Sequence, residues 1–496
     1  MLDGDSSRLA HAWQNIALIL LSIVFLPLNA SILLASYALR PLHHLLSNTN
    51  NASSSSSSST SQQRTILVTG VGMTKGLVLA RLFHLSGHRV VGADFEPNGA
   101  LVPGRVSVAI SKFYPLQKPK PTPNGSAPYV QGLLDVITKE KVDLWVSCSG
   151  VASAVEDGEA KEIVESRTSC KAIQFDVRTT QTLHEKNSFI EYTESIGLTV
   201  PETHSITSRD AVAAIFDKAP AGRKYILKPI GMVDSARADM TLLPKSSEKE
   251  TSAHISRLRI SEKNPWIVQQ FVRGEEYCTH ALIIKGKVKA FVACPSAELL
   301  MHYAALPTNS ALSQAMQHFT EKFAASWKSD FTGHCSFDFL IEDTTPTDPK
   351  NIVLYPIECN PRAHTAVALF NHTPELADRY LEALSSSSAS STKSDHITYP
   401  TSPKKYYWAA HDILTLALLP TLSLLSGQSS LQDLTHDLAS LATHLLTWKD
   451  GTYELWDPLP WFFLYHVYWP MTFWKCLVGG KKWSRVNVST LKMFEC

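Results

Sequence analysis

The sequence lacks most features that would give an immediate reading. Its 46 Lys and Arg against 45 Asp and Glu leave a net charge of +1. Nothing in that balance favours nucleic acid or a strongly acidic partner. The eight cysteines are scattered, with no CxxC or CxxH spacing. That argues against a zinc site and suits reduced thiols in a cytosolic domain. No strong repeat occurs at solenoid periods. Glycine is sparse where a phosphate loop would use it. The first glycine turn, Gly70-Val71-Gly72-Met73-Thr74-Lys75-Gly76, runs GxGxxxG rather than GxGxxG. With 496 residues, the chain has room for about three domains.

Charge is also missing along one stretch. Ile16–Leu39 contains no Asp, Glu, Lys or Arg. As one helix it would span roughly 36 Å, against a hydrocarbon core of about 30 Å. The run is too long for a typical signal-peptide core, and Asp3 and Asp5 precede it with only Arg8. Pro27-Leu28-Asn29 interrupts it, so a kinked span and a shallow re-entrant hairpin are both open, beside a buried core helix. Ser47–Gln63 reads as a flexible Ser/Asn-rich linker.

What is present centres on two short runs. Cys335–Ile341 reads as a buried strand carrying Asp338. Ile352–Ile357 is a second apolar run, ending in Glu358-Cys359-Asn360-Pro361-Arg362. Glu342–Asn351 is turn-rich, so the two runs can lie antiparallel. Asp338, Glu358 and Asn360 then converge as oxygen ligands suited to Mg²⁺. Glu358 and Asn360, two apart, share a strand face. Arg362 offers a fork for phosphate or carboxylate. The plain alternative is an ordinary hairpin with a solvated acidic end.

Other candidates lie upstream. Thr65–Thr69, the glycine turn, a helix over Leu77–Ser86 and a strand over Arg89–Ala93 ending in Asp94 form a βαβ start. The turn is open to a dinucleotide, with Asp94 on a ribose, or to an acceptor substrate. Lys228, within the apolar strand Tyr225–Pro229, needs a partner if it faces inward, and a nucleotide phosphate would be one. A surface-edge lysine is the alternative. In Gly231–Met240, Arg237 either supplies positive charge to a transferring phosphoryl group or pairs with Asp239. His364 is either a helix N-cap or a substrate contact. Ile413–Leu425 is apolar but short for a span. The aromatic run Trp461–Trp474 either packs on the body, with Asp457, His466 and Lys475 needing partners, or meets a bilayer through its aromatics and flanking lysines.

An Asp on one strand followed by Glu-x-Asn-Pro-Arg after the next resembles the ATP-grasp superfamily. The resemblance covers roughly Thr65–Leu384 and rests on Lys186, Lys228, the Gln269–Glu276 segment, Asp338, Glu358 with Asn360, and Arg362, in that order. It implies an α/β (α+β) fold. A Rossmann-like domain (65–180) would precede a two-lobed ATP-grasp domain (181–385). A membrane segment (1–46) and linker (47–64) would come before them, and a linker (386–400) and an aromatic-rich region (401–496) after. It implies ATP with Mg²⁺, Mn²⁺ being an acceptable substitute. Lys186 and Lys228 would fix phosphates, and Gln269, Gln270 and Val272 would line the adenine hinge. Glu276 would take ribose hydroxyls, and Arg362 would stabilise the transferred group or contact substrate with His364. ATP dependence places the catalytic part on the cytosolic side.

Ala236-Arg237-Ala238-Asp239-Met240-Thr241-Leu242-Leu243-Pro244, Glu358–His364 and Asp457-Pro458-Leu459-Pro460 are similar to the mycosporine-glycine synthase branch. Residues 486–496 depart from that branch's ending. The likeness implies joining of glycine to the cyclohexenone 4-deoxygadusol. A carboxylate–amine ligase and a membrane-tethered nicotinamide-binding protein are the rival expectations. The partners expected are small molecules and a membrane, not nucleic acid.

Overall fold

A computed structural model describes residues 2, 4–52, 62–96, 99–120, 122, 124–148, 150, 153–220, 222–230, 239–296, 301–328, 331–342, 352–385, 396–401 and 405–496. Arg237 and most of Glu342–Asn351 lie outside them.

The β-branched run Thr65–Thr69 forms β1, the centre of a five-stranded sheet. Its neighbours are β2 (Arg89–Phe95), β3 (Lys112–Leu116), β4 (Leu144–Ser147) and β5 (Lys171–Ile173). The order is β3-β2-β1-β4-β5, all parallel. Strands buried on both faces read as continuous apolar runs, as Ile66, Leu67 and Val68 do at 0 % exposure.

Two antiparallel sheets follow. The smaller has the order β6-β8-β7, from Thr203–Ile206, Trp266–Gln270 and Tyr225–Pro229. The larger has the order β10-β9-β12-β13, with β9 Gly274–Ile284, β10 Lys287–Pro295, β12 Gly333–Glu342 and β13 Tyr355–Asn360. Lys285 and Gly286, at φ 52° and 74°, make the tight turn joining β9 to β10.

The uncharged N-terminal stretch lies within a single helix, α1 (Arg8–Ala52), with Pro27 and Pro41 inside it. This overturns the re-entrant hairpin. Pro27 removes one helical donor without ending the helix, and the Ser31 hydroxyl donates to its carbonyl. The helix also takes in Ser47–Ala52, the start of the expected linker.

The C-terminal region packs on the body. The helix over 459–478 carries Trp461, Leu464, Tyr468, Trp469 and Phe473 into the same core as β1 and α2 (Thr74–Leu85). Asp457 is fully buried. It accepts from Arg81 Nε at 2.9 Å, Ser107 Oγ at 2.6 Å and Val108 N at 3.0 Å. The other face of this helix meets α1. Asn15, Ser22, Asn29 and Ser36 recur every seven residues, about two helical turns, and so share one side. Asn15 Oδ1 accepts from Trp483 Nε1, Ser22 Oγ donates to Tyr465 O, and Asn29 Nδ2 meets His466 Nε2 at 2.8 Å. Ser36 Oγ meets the Tyr453 hydroxyl at 2.7 Å. The opposite side of α1, including Leu20, Val24 and Leu28, is exposed.

Candidate functional site

β12 and β13 are antiparallel, with Asp338 opposite Glu358 and Ser336 opposite Asn360. Directly opposed residues share a face, as do residues two apart. Asp338, Glu358 and Asn360 therefore project together, and Asn360 Nδ2 donates to Asp338 Oδ2 at 3.0 Å. Burial, with the charges of Glu358 and Glu276, pushes Asp338 up to about 8. Burial also raises Glu358, but Lys186 outweighs it, with help from Arg362, and holds this carboxyl below its usual range.

Lys186 opens α3 (Lys186–Ser195) and places Nζ 2.8 Å from Glu358 Oε2. Arg362 follows β13 through a turn in which its N–H donates to Asn360 O. Its Nη1 is buried and has no hydrogen-bond partner among the described residues. An unpaired buried guanidinium nitrogen costs free energy, so a ligand anion is its natural complement. Two carboxylates, an amide oxygen, a lysine and this guanidinium fit a magnesium–phosphate group by donor type.

A second group sits on the smaller sheet. Lys228 Nζ donates to Gln269 Oε1 at 3.3 Å, and Gln269 Nε2 donates to Thr203 Oγ1. The Gln270 N–H is committed to Glu202 O. The Phe271 N–H is committed to Lys224 O, and Val272 next to it is buried. Glu276 is exposed on β9, where its Oε1 accepts from Ser296 Oγ.

His364 takes the capping role. Its Nδ1 accepts from Ala366 N at 3.3 Å, at the start of the 3₁₀ turn Thr365–Phe370. Burial, reinforced by His280, Arg362 and Lys75, lowers it to about 3.

The glycine turn is engaged by the chain's own groups. Gly72 N donates to Asp94 Oδ2 at 2.7 Å, so the carboxylate expected on a ribose closes the turn instead. The N–H of Thr74, at the head of α2, donates to Ser489 O at 2.9 Å. A Cβ on Gly72 would lie 3.0 Å from the Leu491 side chain. Ser489 and Leu491 thus lie against the turn and the head of α2.

Sequence reasoning missed Lys75. Its Nζ is buried and donates to Ala363 O at 2.9 Å, between Arg362 and His364. Burial, then the Arg362 charge, lowers it to about 7. A lysine inside a glycine turn was the available signal, but its target lies 288 residues away.

No family model and no curated protein matches the chain. Solved structures similar to it include carboxyaminoimidazole ribonucleotide synthase from Aspergillus clavatus complexed with ATP. That match has 13% identity and a TM-score of 0.47, and covers 72% of this chain and 87% of the other. Biotin carboxylase from Campylobacter jejuni, as a β,γ-ATP complex, gives 12% identity, coverage of 65% and 71%, and a TM-score of 0.46. L-amino acid ligase from Bacillus licheniformis gives 13%, 61% and 68%, and 0.40. At these values the neighbours carry no argument about activity.

Proposed function

We propose that the chain is an ATP-dependent ligase of the ATP-grasp type that makes a C–N bond. The supporting observation is the face shared by Asp338, Glu358 and Asn360, beside the buried Nη1 of Arg362, which has no hydrogen-bond partner among the described residues. Asp338, Glu358 and Asn360 would hold Mg²⁺. When bound, the ion supplies neutralisation of the nucleotide phosphates. Lys186 and Lys228 fix the non-transferred phosphates. In the first step an acid oxygen of the substrate attacks the γ-phosphorus and ADP leaves. In the second an amine nitrogen attacks the activated carbon, phosphate leaves with that oxygen, and the nitrogen loses a proton. Arg362 keeps its fork on the transferred phosphoryl group through both steps. Lys75 holds the Ala363 carbonyl and so sets the direction of Arg362.

In the broad form of this reading the acid is a carboxylate. In the finer form, which rests on the resemblance to mycosporine-glycine synthases, it is the vinylogous acid 4-deoxygadusol and the amine is glycine. ADP release by the full-length protein separates the two. Mg-ATP would be supplied with amino acids and either carboxylic acids or the cyclohexenone. Turnover needing glycine and the cyclohexenone establishes the finer form, and turnover with carboxylic acids alone establishes the broad one. NAD(P) binding without ADP release from any pair would overturn both.

We also place the protein on a membrane. The stretch Arg8–Pro41 of α1 is the one candidate span among the described residues, long and apolar enough by length and composition, with mean hydropathy 2.5 in its best window. The polar stripe faces the body and the uncharged side faces out. This supports a helix lying along the bilayer surface; the cytosolic side for the catalytic part rests on the proposed ATP dependence alone.

A further inference from the structure

One cluster of metal-ligand side chains lies outside the candidate site. Helix α5 (Ala409–Leu425) presents Asp412, which is fully buried. Its carboxylate meets His302 Nε2 at 2.9 and 3.2 Å and His444 Nδ1 at 2.6 Å. His302 precedes β11 (Tyr303–Ala304), and His444 projects from α6 (Leu431–Thr447). One ligand atom from each of the three residues lies within 4.8 Å of the others.

Three physical points favour an ion here. A carboxylate withdrawn from water needs a compensating charge, and among the described residues no lysine or arginine pairs with Asp412. Metal–ligand bonds of about 2.0–2.1 Å put tetrahedral ligand atoms roughly 3.3 Å apart, so the carboxylate–imidazole distances of 2.9 and 2.6 Å need only open slightly, while the set as a whole already lies within 4.8 Å. Finally, a π-turn over Ile413–Leu418 follows Asp412 directly, a helical irregularity that is frequent at functional sites.

We propose that His302 Nε2, His444 Nδ1 and the Asp412 carboxylate bind a divalent transition-metal ion. Two neutral imidazoles and one carboxylate suit Zn²⁺ best. A fourth position is left for water, which reaches the site past the partly exposed His302. The ion fastens α5 and α6 to the segment before Tyr303. The Tyr303 ring lies 5.8 Å from that of His364, two residues from Arg362. The site thus ties the C-terminal region to the strand end that carries the proposed chemistry, while its own existence does not depend on that chemistry.

The test uses full-length, untagged protein purified without chelator. Zinc is measured by elemental analysis, and the metal-stripped protein is then titrated with Co²⁺, whose visible d–d absorption reports imidazole coordination. The expected result is stoichiometric zinc and a saturable Co²⁺ spectrum. His302→Gln and Asp412→Asn should each weaken Co²⁺ binding roughly 100-fold or more, and Glu358→Gln should leave the spectrum unchanged. If Asp412→Asn does not fold, His302→Gln decides, since that side chain is partly exposed. A folded wild-type protein with neither zinc nor a Co²⁺ spectrum would overturn the site, as would unchanged Co²⁺ affinity in His302→Gln. Loss of ADP release in Glu358→Gln bears only on the ligase reading.

Discussion

Arg362 is expensive to keep where it is. Burial works against its charge, and Glu358 and Asp338 return part of that cost, yet Nη1 still has no hydrogen-bond partner among the described residues. Such a group is retained for what it meets, so Arg362→Ala should lower ADP release by about 10²–10³-fold, in the range of losing one preorganised donor to developing charge. Glu358→Gln should do the same through the metal while the melting temperature stays within a few degrees; an active, folded Glu358→Gln protein would contradict the ligand assignment. Lys75 gives a test independent of turnover. Its ordinary value of 10.5 falls to about 7 in the fold. Below pH 7 it is charged in both states and the folded protein bears the whole burial cost. Between pH 7 and 10.5 the unfolded chain holds a proton that the folded one has lost, so stability rises with pH. Lys75→Met removes this dependence. Its stability relative to wild type should be highest near pH 6 and decline by about 3–5 kcal/mol toward pH 10. The lost bond to Ala363 O adds only a pH-independent offset. Denaturant unfolding at several pH values measures it, and a difference that is flat with pH would rule the buried charge out.

Among the elements, the C-terminal helix over 459–478 is an integral part of the body because of the ion pair at its head. Arg81 and Asp457 are 2% and 0% exposed. The guanidinium also donates to Thr452 O and Asp457 O. Asp457→Leu alone should destabilise by about 3–5 kcal/mol, because it leaves Arg81 charged and buried, and Arg81→Met added to it should recover most of that loss. Thermal unfolding of the single and double variants would show it; additive losses would mean that packing, not the pair, dominates. The pairing of β12 with β13 was legible in the sequence because two apolar runs flank a turn-rich stretch that lets them lie antiparallel. Strand alternation put Glu358 and Asn360 on one face. Ala281–Ile284 and Val288–Val292 around Lys285-Gly286-Lys287 mark the β9–β10 hairpin by the same kind of local rule. Local rules stop where contacts are distant. Pro27 is a breaker by propensity, but a helix packed against 459–478 can absorb one missing donor. The glycine turn looks open until Ser489 and Leu491 arrive from some 415 residues downstream. His302, Asp412 and His444 come from three segments with no motif spacing, so a scan for cysteine pairs could not find them. Arg237 lies outside the described residues, and its two readings stand as they were.

At the scale of the molecule, the question is how a helix with an uncharged stretch of membrane-spanning length packs along the body. Asn15 and Ser36 stand 21 residues apart, about 31 Å along a helix, which is close to the hydrocarbon thickness. Both are hydrogen-bonded to the body. If α1 crossed the bilayer, Trp483, His466 and Tyr453 would have to cross beside it, with the sheets they pack on. Burying that much polar backbone and charge in lipid is prohibitive. The start of the chain is held as well, with Lys482 Nζ donating to Gly4 O at 2.9 Å and Ser6 O at 2.7 Å. Both ends of α1 are therefore expected on the same side of the membrane, the outward row of Leu20, Val24 and Leu28 entering the acyl boundary. Impermeant maleimide labelling of sealed vesicles tests this. With the catalytic part outside, the exposed Cys496 and a cysteine introduced by Ser6→Cys (in a Cys496→Ser background) should both react without detergent. Protection of the Ser6→Cys thiol until the vesicles are opened would instead mean a spanning helix. The same packing predicts that removal of residues 1–63 exposes Tyr465 and the apolar helix around it. The shortened chain should then aggregate rather than behave as a soluble enzyme, and size-exclusion chromatography would show this directly. A monodisperse shortened chain would mean that α1 adds only attachment and nothing to the fold.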